Sequence, residues 1–157
     1  MTTSFPDDTA SLPQLISLTL DRVMNGLTEH LAGRGFSDLR PTHCVNVLRH
    51  IDCDGTRPTV IAQRAGMTPQ AISELVGHLE RVGYVRRVPD PADGRARIVV
   101  YAERGASAAQ AAERYFTAME RGWAEMVGDR RLDTVKATLA RILSGDESTT
   151  DTEGTTT

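Results

Sequence analysis

Gly66-Met67-Thr68-Pro69 restricts the fold of this chain more than any other four residues. Glycine ends a helix by adopting a left-handed backbone. Threonine followed by proline starts one, as capping residue and first helical position. With only Met67 between stop and start, the two helices must be joined by a tight turn. The spacing predicts a short helix capped by Thr59 and running through Ala65. It predicts a second helix from Pro69 that buries Ile72, Leu75, Val76 and Leu79 and stops at Gly83. Tyr84 to Val88 and Arg97 to Tyr101 then read as two short strands. The segment Pro89 to Ala96 joins them, with Asp93-Gly94 as the turn signal. A helix-turn-helix followed by a hairpin is a winged helix. The expected fold class is mostly α with one small antiparallel β-hairpin.

The flanks read as helices. Ser11 can cap a helix with Pro13 in its first turn. Leu12, Leu15, Ile16, Leu20, Val23, Met24, Leu27 and Leu31 form one stripe along it, as far as Gly33 to Gly35. Pro41 opens a second helix carrying Val45, Val47, Leu48 and Ile51, and 52–56 is a turn-rich break. From Gly105 an alanine-rich helix carries Tyr115, Phe116, Met119, Trp123 and Met126, and Gly128-Asp129 breaks it. Leu132, Val135, Leu139 and Ile142 follow at steps suited to helix pairing. The stripe and this seam offer more apolar surface than one small lobe can cover, so an obligate homodimer built from the first helix and the last two is expected. The expected division is a frayed 1–10 and a single domain over 11–143, followed by a disordered acidic tail over 144–157. Within the domain, 11–56 holds the first two helices, 57–104 the winged lobe and 105–143 the dimerisation helices.

Charge narrows the function. The chain is 157 residues long with a formal net charge of −3. Between Arg57 and Arg104, however, eight arginines stand against five carboxylates. Positive charge is thus concentrated where a winged helix would meet phosphates. No apolar run approaches the length of a membrane span, and the N-terminus has no signal-peptide pattern. A cytoplasmic chain with no membrane partner is expected, and Cys44 and Cys53 are expected as thiols. There is no nucleophile elbow, phosphate-binding glycine loop or paired metal motif, so no enzyme and no cofactor are expected.

The order of pieces from Ile61 to Gly105 resembles the MarR (multiple antibiotic resistance regulator) family. Ile61-Ala62-Gln63-Arg64-Ala65-Gly66-Met67-Thr68 is similar to that family's short third helix and turn. Thr68 to Val76 is similar to its recognition helix. Leu79 to Arg87 is similar to the exit into the wing, and Pro89 to Arg97 to the wing with its Asp-x-Arg element. With the flanking helices the resemblance covers about 12–143. It implies a homodimeric transcriptional regulator, a repressor of a pseudo-palindromic operator in double-stranded DNA, released by a small aromatic effector. The family closes its second wing strand with Leu-Thr; here Tyr101-Ala102 stands there, which points to a later helix start, near Ser107. Glu74 stands where the family often has a polar or basic residue. A winged-helix module that binds protein instead of DNA is the competing reading.

The candidate DNA contacts are Thr68, Pro69, Gln70, Ser73, Glu74, His78, Arg86, Arg95 and Arg97. Gln70 can pair with adenine and Glu74 can accept from cytosine N4; Glu74 can equally pair with His78 one turn on. Thr68 and Ser73 suit phosphates. Gly77, without a side chain, would let DNA approach the backbone. Arg95 is expected at the wing tip, just after the Asp93-Gly94 turn, and suits a narrow minor groove. Asp93 is expected to orient Arg95 or Arg97 by an ion pair. By the resemblance, Arg49, His50, Tyr115 and Trp123 are candidates for an effector cleft; plain core and salt-bridge duty is the competing reading. His43, Cys44, His50 and Cys53 cluster in the sequence without a standard zinc spacing, so no metal site is expected.

Overall fold

The computed structural model describes residues 10–145. The terminal segments expected to be frayed or disordered lie, apart from Ala10, Ser144 and Gly145, outside the described residues. The elements are α1 (Leu12–Ala32), α2 (Pro41–Asn46), a 3-10 turn (Leu48–His50), α3 (Pro58–Ala65), α4 (Pro69–Arg81), β1 (Val85–Asp90), β2 (Asp93–Tyr101), α5 (Glu103–Val127) and α6 (Asp129–Ser144). The fold is a winged helix-turn-helix with a two-stranded antiparallel wing. No helix of the described residues is long and apolar enough to cross a membrane. The chain divides into two units, Met1–Tyr115 and Phe116–Thr157, and α5 runs across the division.

In the first unit, α4 begins and buries as its sequence dictates. The Thr68 hydroxyl accepts the Ala71 N–H at 3.2 Å, and Pro69 takes the first helical position. Ile72, Val76 and Leu79 have no exposed surface. Fully burying each contributes about 1.5–3 kcal/mol. They pack with Ile61 and Ala62 of α3, Leu27 and Leu31 of α1, Tyr84, Val85 and Val99 of the hairpin, and Ala108 and Ala111 of α5. Gly66 ends α3 at φ 64°, a backbone that side chains with a Cβ rarely adopt.

Four expectations are corrected. The second helix is not continuous: α2 ends at Asn46, and Val47 leaves helical geometry at φ −126°, ψ −64°. Val47 and Leu48 are adjacent and both buried, and a helix would turn them about 100° apart. The break lets both enter the core. The third helix starts at Pro58 with Arg57 as its cap, so Thr59 lies inside it. The wing strands are longer than expected, and the connection is only Pro91-Ala92. Asp90 makes that turn by accepting the Ala92 N–H at 2.8 Å. Asp93-Gly94 therefore lies on β2.

The fourth correction concerns α5, which starts at Glu103 rather than near Ser107. Ala102 is anchored through its backbone, its N–H donating to the Tyr84 carbonyl at 3.0 Å. Gly105 lets the helix approach: a Cβ there would stand 1.8 Å from the Tyr84 oxygen. Arg104 completes the junction. Its guanidinium donates to both Asp38 oxygens (2.7 and 2.9 Å), to the Val82 carbonyl (2.9 Å) and to the Gly35 carbonyl (3.2 Å). It also lies 4.3 Å over the Tyr84 ring. The Arg104 guanidinium and then the Tyr84 hydroxyl hold the Asp38 carboxyl below its usual range. Burial, then Asp38, pushes the Tyr84 phenol up.

In the second unit, Gly128 reverses the chain at φ 87° and Lys136 reaches Glu120 at 3.0 Å. Leu132 and Leu139 are half-buried, and Val135 and Ile142 are exposed.

Candidate nucleic-acid interface

The helical spacing of α4 divides it into two faces. Opposite the buried face lie Gln70, Ser73, Glu74, Gly77 and Arg81, at positions three, four and seven apart. Gln70 donates to Glu74 at 3.4 Å, so the two form one polar pair, a donor beside an acceptor. Ser73 and Glu74 are exposed, as is Arg81 at the C-terminal end of this face. The sequence reading omitted Arg81, although counting seven from Glu74 puts it there.

His78 is turned aside. Its ring lies 5.0 Å from that of His43 on α2, and His78 is half-buried. The alternative Glu74–His78 partnership gives way to Gln70–Glu74. His43 is only 5% exposed, and its Nδ1 accepts the Arg40 N–H at 3.2 Å. Burial, then the neighbouring His78, keeps the His43 imidazole below its ordinary range. Thr68 is committed to capping, and Pro69 is exposed at the start of the helix.

The eight arginines of this segment separate into two groups. Four are held internally: Arg57 by Asp90, Arg64 by Asp52, Arg87 by Glu80 and Arg104 by Asp38. Arg87 also takes the Ser73 carbonyl at 3.2 Å, which fixes β1 against α4. Arg81, Arg86, Arg95 and Arg97 are exposed and make no ion pair among the described residues. The free positive charge thus lies on the outer face of α4 and on the wing, the surface a phosphate backbone would meet.

The wing presents its arginines differently from the sequence expectation. Pro89 pairs with Arg97 and Asp90 with Asp93, so Gly94, Arg95 and Ala96 are extra residues on β2. Arg95 stands on this bulge, beside the turn and not at its apex. Bulges re-aim side chains in this way. Asp93 does not pair with the side chain of Arg95 or Arg97. One of its oxygens accepts the Arg95 backbone N–H at 3.1 Å, and the other lies 3.8 Å from Arg57. The corrected role of Asp93 is to fix the backbone of the bulge.

The sequence profile of the MarR family matches residues 37–96, which include the α3–α4 pair and most of the wing. Over this winged helix-turn-helix the chain is similar to the MarR family. MarR-family proteins are DNA-binding transcriptional regulators and not enzymes. CouR from Rhodococcus jostii, solved bound to p-coumaroyl-CoA, is similar at 25% identity and a TM-score of 0.65, over 90% of this chain and 95% of that one. The reduced form of MarR from E. coli is similar in fold at 17% identity and a TM-score of 0.69, over 87% of this chain and 99% of that one. A MepR mutant from S. aureus, solved bound to an oligodeoxyribonucleotide, is similar at 20% identity and a TM-score of 0.54, over 87% and 98%. No curated protein sequence matches the chain.

Two of the four effector-cleft candidates, Arg49 and His50, contact each other. Arg49 donates to His50 Nε2 at 3.2 Å, and the His50 carbonyl accepts from Arg64 at 2.9 Å. Tyr115 instead reaches α1: its hydroxyl bonds the Val23 carbonyl at 3.2 Å, and its ring lies 5.2 Å from His30. Trp123 belongs to the second unit. Among the described residues no group of His, Cys, Asp or Glu is placed to hold a metal. Cys44 is half-buried beside the core, where burial pushes its thiol up, and Cys53 is exposed.

Proposed function

We propose that the chain acts as a homodimeric repressor of a pseudo-palindromic operator. One α4 per protomer enters the major groove, and Arg95 and Arg97 reach the adjacent minor groove. The observation that carries this reading is the unpaired positive surface formed by Arg81, Arg86, Arg95 and Arg97 around the Gln70–Glu74 pair. Gln70 suits an adenine and Glu74 a cytosine amine. Leu12, Leu15, Ile16 and Leu20 on α1 and Val135 and Ile142 on α6 are exposed apolar side chains, and a second copy of the chain would cover them. Residues 11–143 form the working domain, with the winged lobe at 57–104 and dimerisation helices on either side.

Release by a small aromatic or amphipathic effector completes the proposal. The relative solved with p-coumaroyl-CoA supports that ligand chemistry. A coupling of about 1–3 kcal/mol between effector and operator is typical of such switches.

The test is selection of duplexes by the full chain from a randomised pool, followed by footprinting. Two protected half-sites with centres about 10 bp apart are expected, with affinity falling steeply as salt rises. Selection of no duplex, or protection of a single half-site, would refute the proposal.

A further inference from the structure

We infer that Arg57, the capping residue of α3, is a positioning residue for the wing and acts on DNA binding without touching DNA. The inference rests on the proposed use of the wing. Its grounds are three linked contacts. Arg57 Nε and Nη2 both lie 2.6 Å from one oxygen of Asp90, whose side chain is only 10% exposed. The other Asp90 oxygen accepts the Ala92 N–H and so makes the turn. Arg57 Nη2 also lies 3.8 Å from Asp93, which holds the Arg95 backbone N–H. One guanidinium therefore connects the start of α3 to the turn and to the bulge that carries Arg95.

The hairpin needs such a tie. At its base, Thr56 exchanges both backbone hydrogen bonds with Val99, at 2.9 and 2.8 Å, and Arg87 is bonded to Glu80. From Val88 to Arg97, Arg57 supplies the hydrogen bonds that reach the hairpin from elsewhere among the described residues. A two-stranded ribbon standing alone is marginal in water. Recognition with a helix in one groove and a wing in the next requires a fixed distance between them, and looseness in the wing is ordering that DNA binding must supply. The partly buried Arg57–Asp90 pair supplies that order in advance.

Hydrogen exchange on the full chain tests the tie without any DNA. Arg57→Ala and Asp90→Asn should each speed exchange of the amides between Val88 and Arg97 by about tenfold, with the helices unchanged. Arg57→Lys, which keeps the charge but loses the two-nitrogen fork, should fall between wild type and Arg57→Ala. The second arm uses the duplex that the wild-type chain selects. Arg57→Ala and Asp90→Asn should both weaken binding by about tenfold. Neither should weaken it further once Arg95 and Arg97 are both alanine, because the wing then has nothing to deliver.

Opposite results overturn the inference. If Arg57 were a direct phosphate contact, Asp90→Asn would free it and tighten binding, and the Arg57→Ala loss would persist in the background lacking Arg95 and Arg97. Unchanged exchange in both Arg57→Ala and Asp90→Asn would also end the inference. If wild type selects no duplex while the wing amides still loosen, the proposed function fails and the tie stands.

Discussion

Replacing Gly105 by alanine sets two calculable effects against each other. Alanine is favoured over glycine in a helix interior by about 0.8–1 kcal/mol. Here the new methyl carbon would stand 1.8 Å from the Tyr84 carbonyl oxygen, 2.8 Å from its carbon and 3.1 Å from Tyr101 Cδ1. The obstacle is backbone, which cannot swing away as a flexible side chain would. Relief requires α5 to move off the hairpin, which strains the Ala102 N–H bond to Tyr84 and the grip of Arg104 on Val82. Overpacking costs about 1–3 kcal/mol, and each weakened hydrogen bond about 1 kcal/mol more. The sum exceeds the propensity gain, so Gly105→Ala should destabilise by about 2–4 kcal/mol, lowering Tm by several degrees. Gly77 in α4 is the control. A Cβ there meets only the flexible end of Arg81 at 3.7 Å, so Gly77→Ala should stabilise by about 0.5–1 kcal/mol. Urea denaturation followed by circular dichroism measures both. A Gly105→Ala chain as stable as wild type would show that the approach of α5 to Tyr84 is not tight, and the reasoning would fail.

Other outcomes can be checked in the same way. Arg95→Ala should weaken binding to a selected duplex by about 1–3 kcal/mol and lower the salt slope by about one, leaving folding intact; unchanged affinity and slope would move the wing contact to Arg97. Ile16→Glu, on the exposed part of α1, should yield monomers in sedimentation at micromolar concentration, and an unchanged dimer would place the interface elsewhere. Burial holds His30, His43 and His50 below the ordinary value of 6.5. The unfolded chain therefore takes protons first, and stability should fall as pH drops from 6.5 towards the lowered folded values, then level off. Asp38, Asp52 and Asp90 are held below 3.8, so their contribution is present above that value and lost as pH falls through their folded values. Denaturation midpoints across pH 3–8 should show both steps; a flat profile would contradict these directions. Cys53 should react with a thiol reagent before Cys44, and the reverse order would contradict their exposures.

The parts legible in the sequence were those encoded locally. Thr68-Pro69 and the spacing of Ile72, Val76 and Leu79 defined α4 because cap, proline and periodicity all agree. In the wing the turn forms at Pro91-Ala92 and not at Asp93-Gly94, because Asp90 makes the turn bond while Arg57 neutralises it. That arginine lies 33 residues away, so its part in the choice could not be read locally. The break at Val47 likewise comes from two neighbours that must both be buried, a demand set by the assembled core. In the candidate interface, the type of each arginine was legible but its availability was not. Whether an arginine is spent internally depends on partners such as Glu80 and Asp38, and the latter is 66 residues from Arg104.

The guanidinium of Arg104 gives the lobe a fulcrum. It grips the chain at Gly35, Asp38 and Val82 from the first turn of α5, so these four points share one hinge-free knot. Val82 is the C-terminal cap of α4, and Pro69 and Gln70 lie at the far end of that helix. Thirteen residues of helix make an arm of about 20 Å. A tilt of α5 by only about 5° therefore sweeps the reading end through about 1.7 Å, more than half the length of a hydrogen bond. Small torques on the long helix would thus be felt most where bases are read and least where the knot is tied.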